Sequence, residues 1–80
     1  MTVRVIFFAY LRERCGVREA TMQIQEGATV EDLWRTLLAR YDRLPPDAPR
    51  FAVNRCYVKR DHPLNDHDEL ALIPPVSGGN

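Results

Sequence analysis

The sequence predicts an α+β fold, a mixed sheet of four to five strands rolled around one main helix. Three observations carry this. Two β-rich segments open the chain, a single amphipathic helical segment follows, and two or three short strands close it. One helix against one sheet gives a roll of the β-grasp type. The last strand can then pair in parallel with the first, because the helix and loops between them supply a long crossover.

Thr2 to Tyr10 is rich in β-branched and aromatic residues and reads as a strand. One face carries Val3, Val5, Phe7 and Ala9, the other Arg4, Ile6, Phe8 and Tyr10. Apolar residues on both faces mean a central strand, or a sheet whose second face meets a partner. Arg14-Cys15-Gly16 supplies a turn, with Gly16 free to take a positive φ. Glu19 to Gln25 alternates, with Ala20, Met22 and Ile24 on the apolar side, and reads as a half-buried strand hairpinned to the first. Thr29 opens the helix, and Asp32 three residues on completes a capping box of the acidic kind. Val30, Leu33, Trp34, Leu37, Leu38 and Tyr41 follow the three-and-four spacing of one apolar face. The helix stops before Leu44-Pro45-Pro46, and Pro45 to Arg50 is a surface loop. Phe51-Ala52-Val53 and Cys56-Tyr57-Val58 are short strands around a tight turn at Asn54-Arg55. Asp61 to Asp68 is polar and turn-rich, anchored by Pro63-Leu64, and Glu69 to Ile73 is the last strand. The body is expected to span residues 1–74, with 75–80 as a flexible tail.

Composition narrows the function. The 80 residues allow one small domain, with 45% hydrophobic and 28% charged residues, an ordinary globular balance. Eleven basic residues cancel eleven acidic ones, so nucleic acid is not an expected partner. The longest apolar run, Val5 to Leu11, is far short of the about 20 residues that cross a bilayer, and it lacks the flanks of a signal peptide. No membrane partner is expected, and the location expected is cytoplasmic. Cys15 and Cys56 have no metal-ligand spacing and read as reduced small hydrophobes. His62 and His67 lie among Asp61, Asp66 and Asp68, but a polar turn-rich loop explains them as well as a metal would, and no metal is expected. Arg50, Arg55, Lys59 and Arg60 read as a solvated basic face. So small a domain has little room for an enclosed substrate pocket, and an enzyme acting alone is not expected.

The informative segment is the end, Pro74-Pro75-Val76-Ser77-Gly78-Gly79-Asn80. Two prolines end the last strand and stiffen the exit into an extended form. Pro75 to Gly79 can reach about 17 Å when extended. Gly78 and Gly79, without Cβ atoms, let the backbone thread a narrow channel in another protein. Such a tail can present its terminus to a remote active site. A frayed end is the plain alternative.

The stretch from Asp61-His62-Pro63-Leu64 through Asp68-Glu69-Leu70-Ala71 to Pro74-Pro75-Val76-Ser77-Gly78-Gly79 resembles the small subunit of molybdopterin synthase, the MoaD family, whose pattern runs D-H-P-L-x-D-x-D-E to P-P-V-[ST]-G-G. Phe7-Phe8-Ala9-Tyr10-Leu11-Arg12-Glu13 matches that family's F-F-A-x-x-R-E start, and Val53-Asn54 its V-N. The resemblance implies a ubiquitin-like sulfur carrier that binds no cofactor itself. A ubiquitin-activating-type adenylyltransferase would use ATP to adenylate the Gly79 carboxylate, which then becomes a thiocarboxylate. The tail, Val76, Ser77 and Gly78 leading to Gly79, would enter the large synthase subunit and give sulfur to cyclic pyranopterin monophosphate. The carrier supplies one reactive terminus and its partners supply the acid–base groups. Asn80 departs from the pattern. With Asn80 attached, Gly79 has a peptide carbonyl and no carboxylate, so a peptidase removing Asn80 is a further expected partner. The same tail chemistry could serve cysteine or thiazole synthesis, and a ubiquitin-like module that never forms a thiocarboxylate is a third reading.

A docking surface follows from the strands themselves. With Val3, Val5 and Phe7 toward the helix, Ile6 and Phe8 lie on the opposite sheet face beside Ile73. An exposed apolar patch on a small domain marks a partner site. Arg12, in the R-E element, is expected to help position a partner by charge.

Overall fold

The structure, a computed structural model, describes residues 1–47 and 49–74. Its elements are β1 (Thr2–Phe7), α1 (Tyr10–Cys15), β2 (Glu19–Gln23), α2 (Val30–Arg40), β3 (Arg50–Val53), β4 (Cys56–Val58) and β5 (Glu69–Ile73). The strands form one mixed sheet in the order β2-β1-β5-β3-β4. Its central pair, β1 and β5, is parallel, and the other pairs are antiparallel. This is the expected β-grasp roll, with all five strands in one sheet.

The core lies between the sheet and α2. Val3, Val5 and Phe7 of β1 and Leu70 and Leu72 of β5 are buried, as the period-two pattern requires. From α2 come Val30, Leu33, Trp34 and Leu37, with Leu38 and the following Tyr41 packed at the margin. Trp34 meets Phe51 edge to face at 5.7 Å, and Tyr41 meets Phe7 at 5.4 Å. The capping box forms as read. Thr29 Oγ1 accepts from the Asp32 amide at 3.3 Å, and Asp32 Oδ2 accepts from the Thr29 amide at 2.9 Å.

The loop between β4 and β5 straps the start of α2. The Val30 and Glu31 amides, which have no partner within the helix, donate to the His62 and Arg60 carbonyls at 2.9 and 2.8 Å. Leu64, buried as the expected anchor, donates its amide to the Ala28 carbonyl. Across the same junction Glu31 accepts from Arg60 and Arg35, and those two hydrogen bonds hold its carboxyl below the usual range. The histidines serve this loop. His62 contributes its carbonyl, and His67 is an exposed side chain 3.3 Å from Asp66.

Three boundaries differ from the sequence reading. The first strand ends at Phe7, and Tyr10 begins a short helix where a turn at Arg14-Cys15-Gly16 was expected. The reason is local. Ala9 takes φ 53°, a left-handed value unusual for an L-residue, which turns the chain out of the sheet. Helical spacing then brings Leu11 into the core and Cys15 against it, and Gly16 closes the helix at φ 75°. Tyr10 therefore leaves the strand face assigned to it. The second strand stops at Gln23 rather than Gln25, although Ile24 still donates its amide to the Met1 carbonyl. Arg50, placed in the loop from sequence, is the first residue of β3. The tail expected over 75–80 lies outside the described residues.

Candidate functional site

The sheet has one face against α2 and one without a covering element among the described residues, and register places the residues of the second face in rows. Ile6 pairs with Ala71, Ala71 with Ala52, and Ala52 with Tyr57, which makes a middle row from β1 to β4. Arg50 pairs with Ile73 beside Phe8, the row nearest the end of β5. Arg4 pairs with Glu69 in the opposite row. Two alanines at the centre, among larger side chains on either side, leave a depression of about 380 Å³. Ala52 and Ala71 form its floor, Ile6, Phe8 and Tyr57 its walls, and Ile73 one end. Phe8 is 43% exposed and Tyr57 66%, large values for rings on a strand or next to one.

The chain leaves the sheet at the same place. β5 ends at Ile73, and the Phe8 amide donates to the Leu72 carbonyl at 3.2 Å, so Phe8 flanks the exit on one side and Arg50 on the other. Of the residues singled out from sequence, Ile6, Phe8 and Ile73 are thus brought together on one face. Arg12 sits on α1, exposed, around a second hollow shared with Ile6, Phe8 and Arg18. Val76, Ser77, Gly78, Gly79 and Asn80 lie outside the described residues.

Polar groups fix the far row. Asp68 is buried and accepts from Asn54 Nδ2 at 2.9 Å and from the Asn65 amide at 2.8 Å. Asn54 Oδ1 accepts from the Glu69 amide, and the Asn54 amide donates to the Glu69 carbonyl. These bonds tie the β3–β4 turn, where Asn54 and Arg55 both take positive φ, to the start of β5. The V-N and D-E elements of the sequence pattern are therefore two halves of one hydrogen-bonded unit.

Among the described residues the site offers a largely apolar surface, edged by Arg55 and Glu69, beside the end of β5. Among the described residues no group of three or more His, Cys, Asp and Glu side chains is placed to hold a metal ion. Both cysteines are free thiols, and partial burial pushes the Cys15 thiol up from its ordinary value. A wider groove of about 690 Å³ runs between Gln23–Ala28 and α2, lined partly by Gln25, Glu26, Asp32 and Thr36, and it contains none of the sequence-predicted site residues. No helix among the described residues is long and apolar enough to cross a membrane.

Sequence reasoning did not single out Ala52, Ala71 and Tyr57 for this face. Small residues at outward positions of strands otherwise built from bulky ones were the available signal. The cross-strand register that brings the two alanines together is not written locally in either strand.

The profile of the ThiS family matches residues 5–79, nearly the whole chain and all of the tail up to Gly79. The chain belongs to the ThiS family. Within reach of this ThiS-family chain is the molybdopterin synthase sulfur carrier subunit of Chlamydomonas reinhardtii, 40% identical with 99% of this chain and 100% of the relative covered. Among solved structures, a Pyrococcus furiosus protein described as subunit 1 of a molybdopterin converting factor superposes with a TM-score of 0.86 at 31% identity, over 95% of this chain and 99% of the other. A complex of subunits 1 and 2 of the molybdopterin-converting factor from Helicobacter pylori contains a chain that matches with a TM-score of 0.71 at 26% identity, over 99% of this chain and 100% of that one.

Proposed function

We propose that this chain is the sulfur-carrier small subunit of a molybdopterin synthase and acts in molybdenum cofactor biosynthesis. The observation that carries the reading is the end-to-end similarity to the Chlamydomonas reinhardtii sulfur carrier subunit, at 40% identity. The chain is not an enzyme by itself. It supplies the sulfur-donating part of a complex whose large subunit supplies the substrate pocket, and the paired subunits from Helicobacter pylori support such a partner.

The chemistry assigned to the tail is as follows. Hydrolysis of the Gly79–Asn80 peptide bond by a peptidase frees a carboxylate on Gly79. A carboxylate is a poor acyl electrophile, so an adenylyltransferase joins it to the AMP moiety of ATP with release of pyrophosphate. A reduced sulfur donor displaces AMP, and the terminus becomes a thiocarboxylate whose soft sulfur is nucleophilic. Inside the large subunit that sulfur attacks a carbon of cyclic pyranopterin monophosphate, so that a carbon–sulfur bond forms as a carbon–oxygen bond at the same carbon breaks and the oxygen departs as the leaving group. Hydrolysis of the acyl link returns the Gly79 carboxylate. Val76, Ser77 and Gly78 serve as the arm, and the face containing Ile6, Phe8 and Ile73 serves as the handle that sets how far the arm extends.

The test is sulfur transfer. Thiocarboxylated protein ending at Gly79, mixed with the large subunit and cyclic pyranopterin monophosphate, is expected to lose its sulfur and yield molybdopterin. Sulfur retained with the pyranopterin, but lost to a cysteine or thiazole precursor with that pathway's own enzyme, would assign the carrier elsewhere.

A further inference from the structure

The zero net charge of the chain conceals an uneven distribution. Two carboxylates lie on the outer sheet face, Glu19 and Glu69, and both are engaged by Arg4, at 3.8 and 2.6 Å. Around the same face stand Arg50, Arg55 and Arg12, and none of the three forms an ion pair among the described residues. Arg50 lies over the Tyr57 ring at 5.9 Å, beside Ile73. Arg55 lines the depression at its Glu69 end. Arg12 and Arg18 surround the hollow next to Phe8. Several balancing carboxylates lie instead around the start of α2 and the loop strapped to it, at Glu26, Glu31, Asp32, Asp61 and Asp66. The depression, which Glu69 also lines, and the hollow beside it, which Glu19 lines, are thus bordered by an excess of cations, because both carboxylates are already engaged by Arg4.

We propose that the partner of this face presents an apolar side chain surrounded by carboxylates. The side chain fills the depression floored by Ala52 and Ala71, and the carboxylates meet Arg50 and Arg55. The proposal rests on the docking role given to this face above and adds the chemistry of the partner. Charge decides among occupants. A second copy of the chain would bring Arg50, Arg55 and Arg12 against their own equivalents, and like charges so juxtaposed oppose association. An acidic ring brings opposite charges together and speeds encounter at low salt, whereas the buried knob governs how long the complex lasts.

The experiment uses the full chain with the large synthase subunit of the same source, and stopped-flow mixing in low and high salt. The double variant Arg50→Glu/Arg55→Asp reverses two exposed charges, and Asp tolerates the left-handed backbone at position 55. Circular dichroism checks that the variant retains its fold. The expected result is an association rate about 10-fold lower than wild type at low salt, converging with it at high salt, and a dissociation rate little changed. Equal association rates at low salt, or a wild-type rate that does not depend on salt, overturn the acidic ring. Phe8→Asp in parallel separates this from failure of the docking role. If Phe8→Asp loses binding while the arginine variant behaves as wild type, the face docks but its partner carries no acidic ring. If neither variant changes binding, the face itself is wrongly assigned and the proposal falls with it.

Discussion

Phe8→Asp is expected to weaken binding to the large synthase subunit by about 100-fold while the protein keeps its fold, since central interface aromatics commonly contribute 2 kcal/mol or more. Phe8 stands outside the core cluster, and its contribution to the sheet is a backbone hydrogen bond to Leu72 that survives any side chain. In the complex the ring would be covered, and a carboxylate there would be desolvated without a partner. Calorimetric titration gives the affinity and thermal melting gives the fold. Unchanged affinity would remove Phe8 from the interface, and loss of the fold would make it a core residue in disguise.

Asp68→Ala is expected to act in the opposite way, lowering stability by about 3 kcal/mol with the docking surface chemically intact. Asp68 is 8% exposed and accepts two hydrogen bonds, from Asn54 Nδ2 and the Asn65 amide. Alanine leaves both donors without their partner and releases the β3–β4 turn from the start of β5. For a domain of this size that corresponds to a melting temperature about 15 °C lower. Asp68→Asn keeps the shape and one acceptor oxygen and should fall between. Urea titration of the three proteins checks the order. An alanine variant as stable as wild type would show that the Asn54–Asp68 unit is not a fastening.

The two residues illustrate what could be read without coordinates. Period-two and three-and-four spacings located the strands, the main helix and the buried side of each, because those patterns are local and repeat over several residues. The capping box at Thr29 and Asp32 was legible for the same reason, as all its atoms lie within one helical turn. The parallel pairing of β1 and β5 followed from the order of elements. What stayed hidden depended on single backbone angles or on register between distant strands. Ala9 at φ 53° ends β1 at Phe7, three residues before the Tyr10 that composition suggests, since Phe8 and Tyr10 are good strand formers. Nothing in Ala52 or Ala71 alone announces that they lie opposite one another and open a depression. Likewise, Asp68 read as one more polar loop residue until Asn54 was found against it. That Ile6, Phe8 and Ile73 share the sheet face away from the helix was legible, because it follows from alternation alone.

The central claim is that the folded body carries Gly79 as a sulfur-bearing terminus, and intact-mass spectrometry tests it most directly. The 80-residue chain and a chain ending at Gly79 are each incubated with the adenylyltransferase, ATP and a sulfur donor. The account predicts that the chain ending at Gly79 gains the mass difference between sulfur and oxygen, while the chain that retains Asn80 stays unchanged until the final residue is removed. Equal sulfur gain by both chains, or none by the chain ending at Gly79, would contradict it.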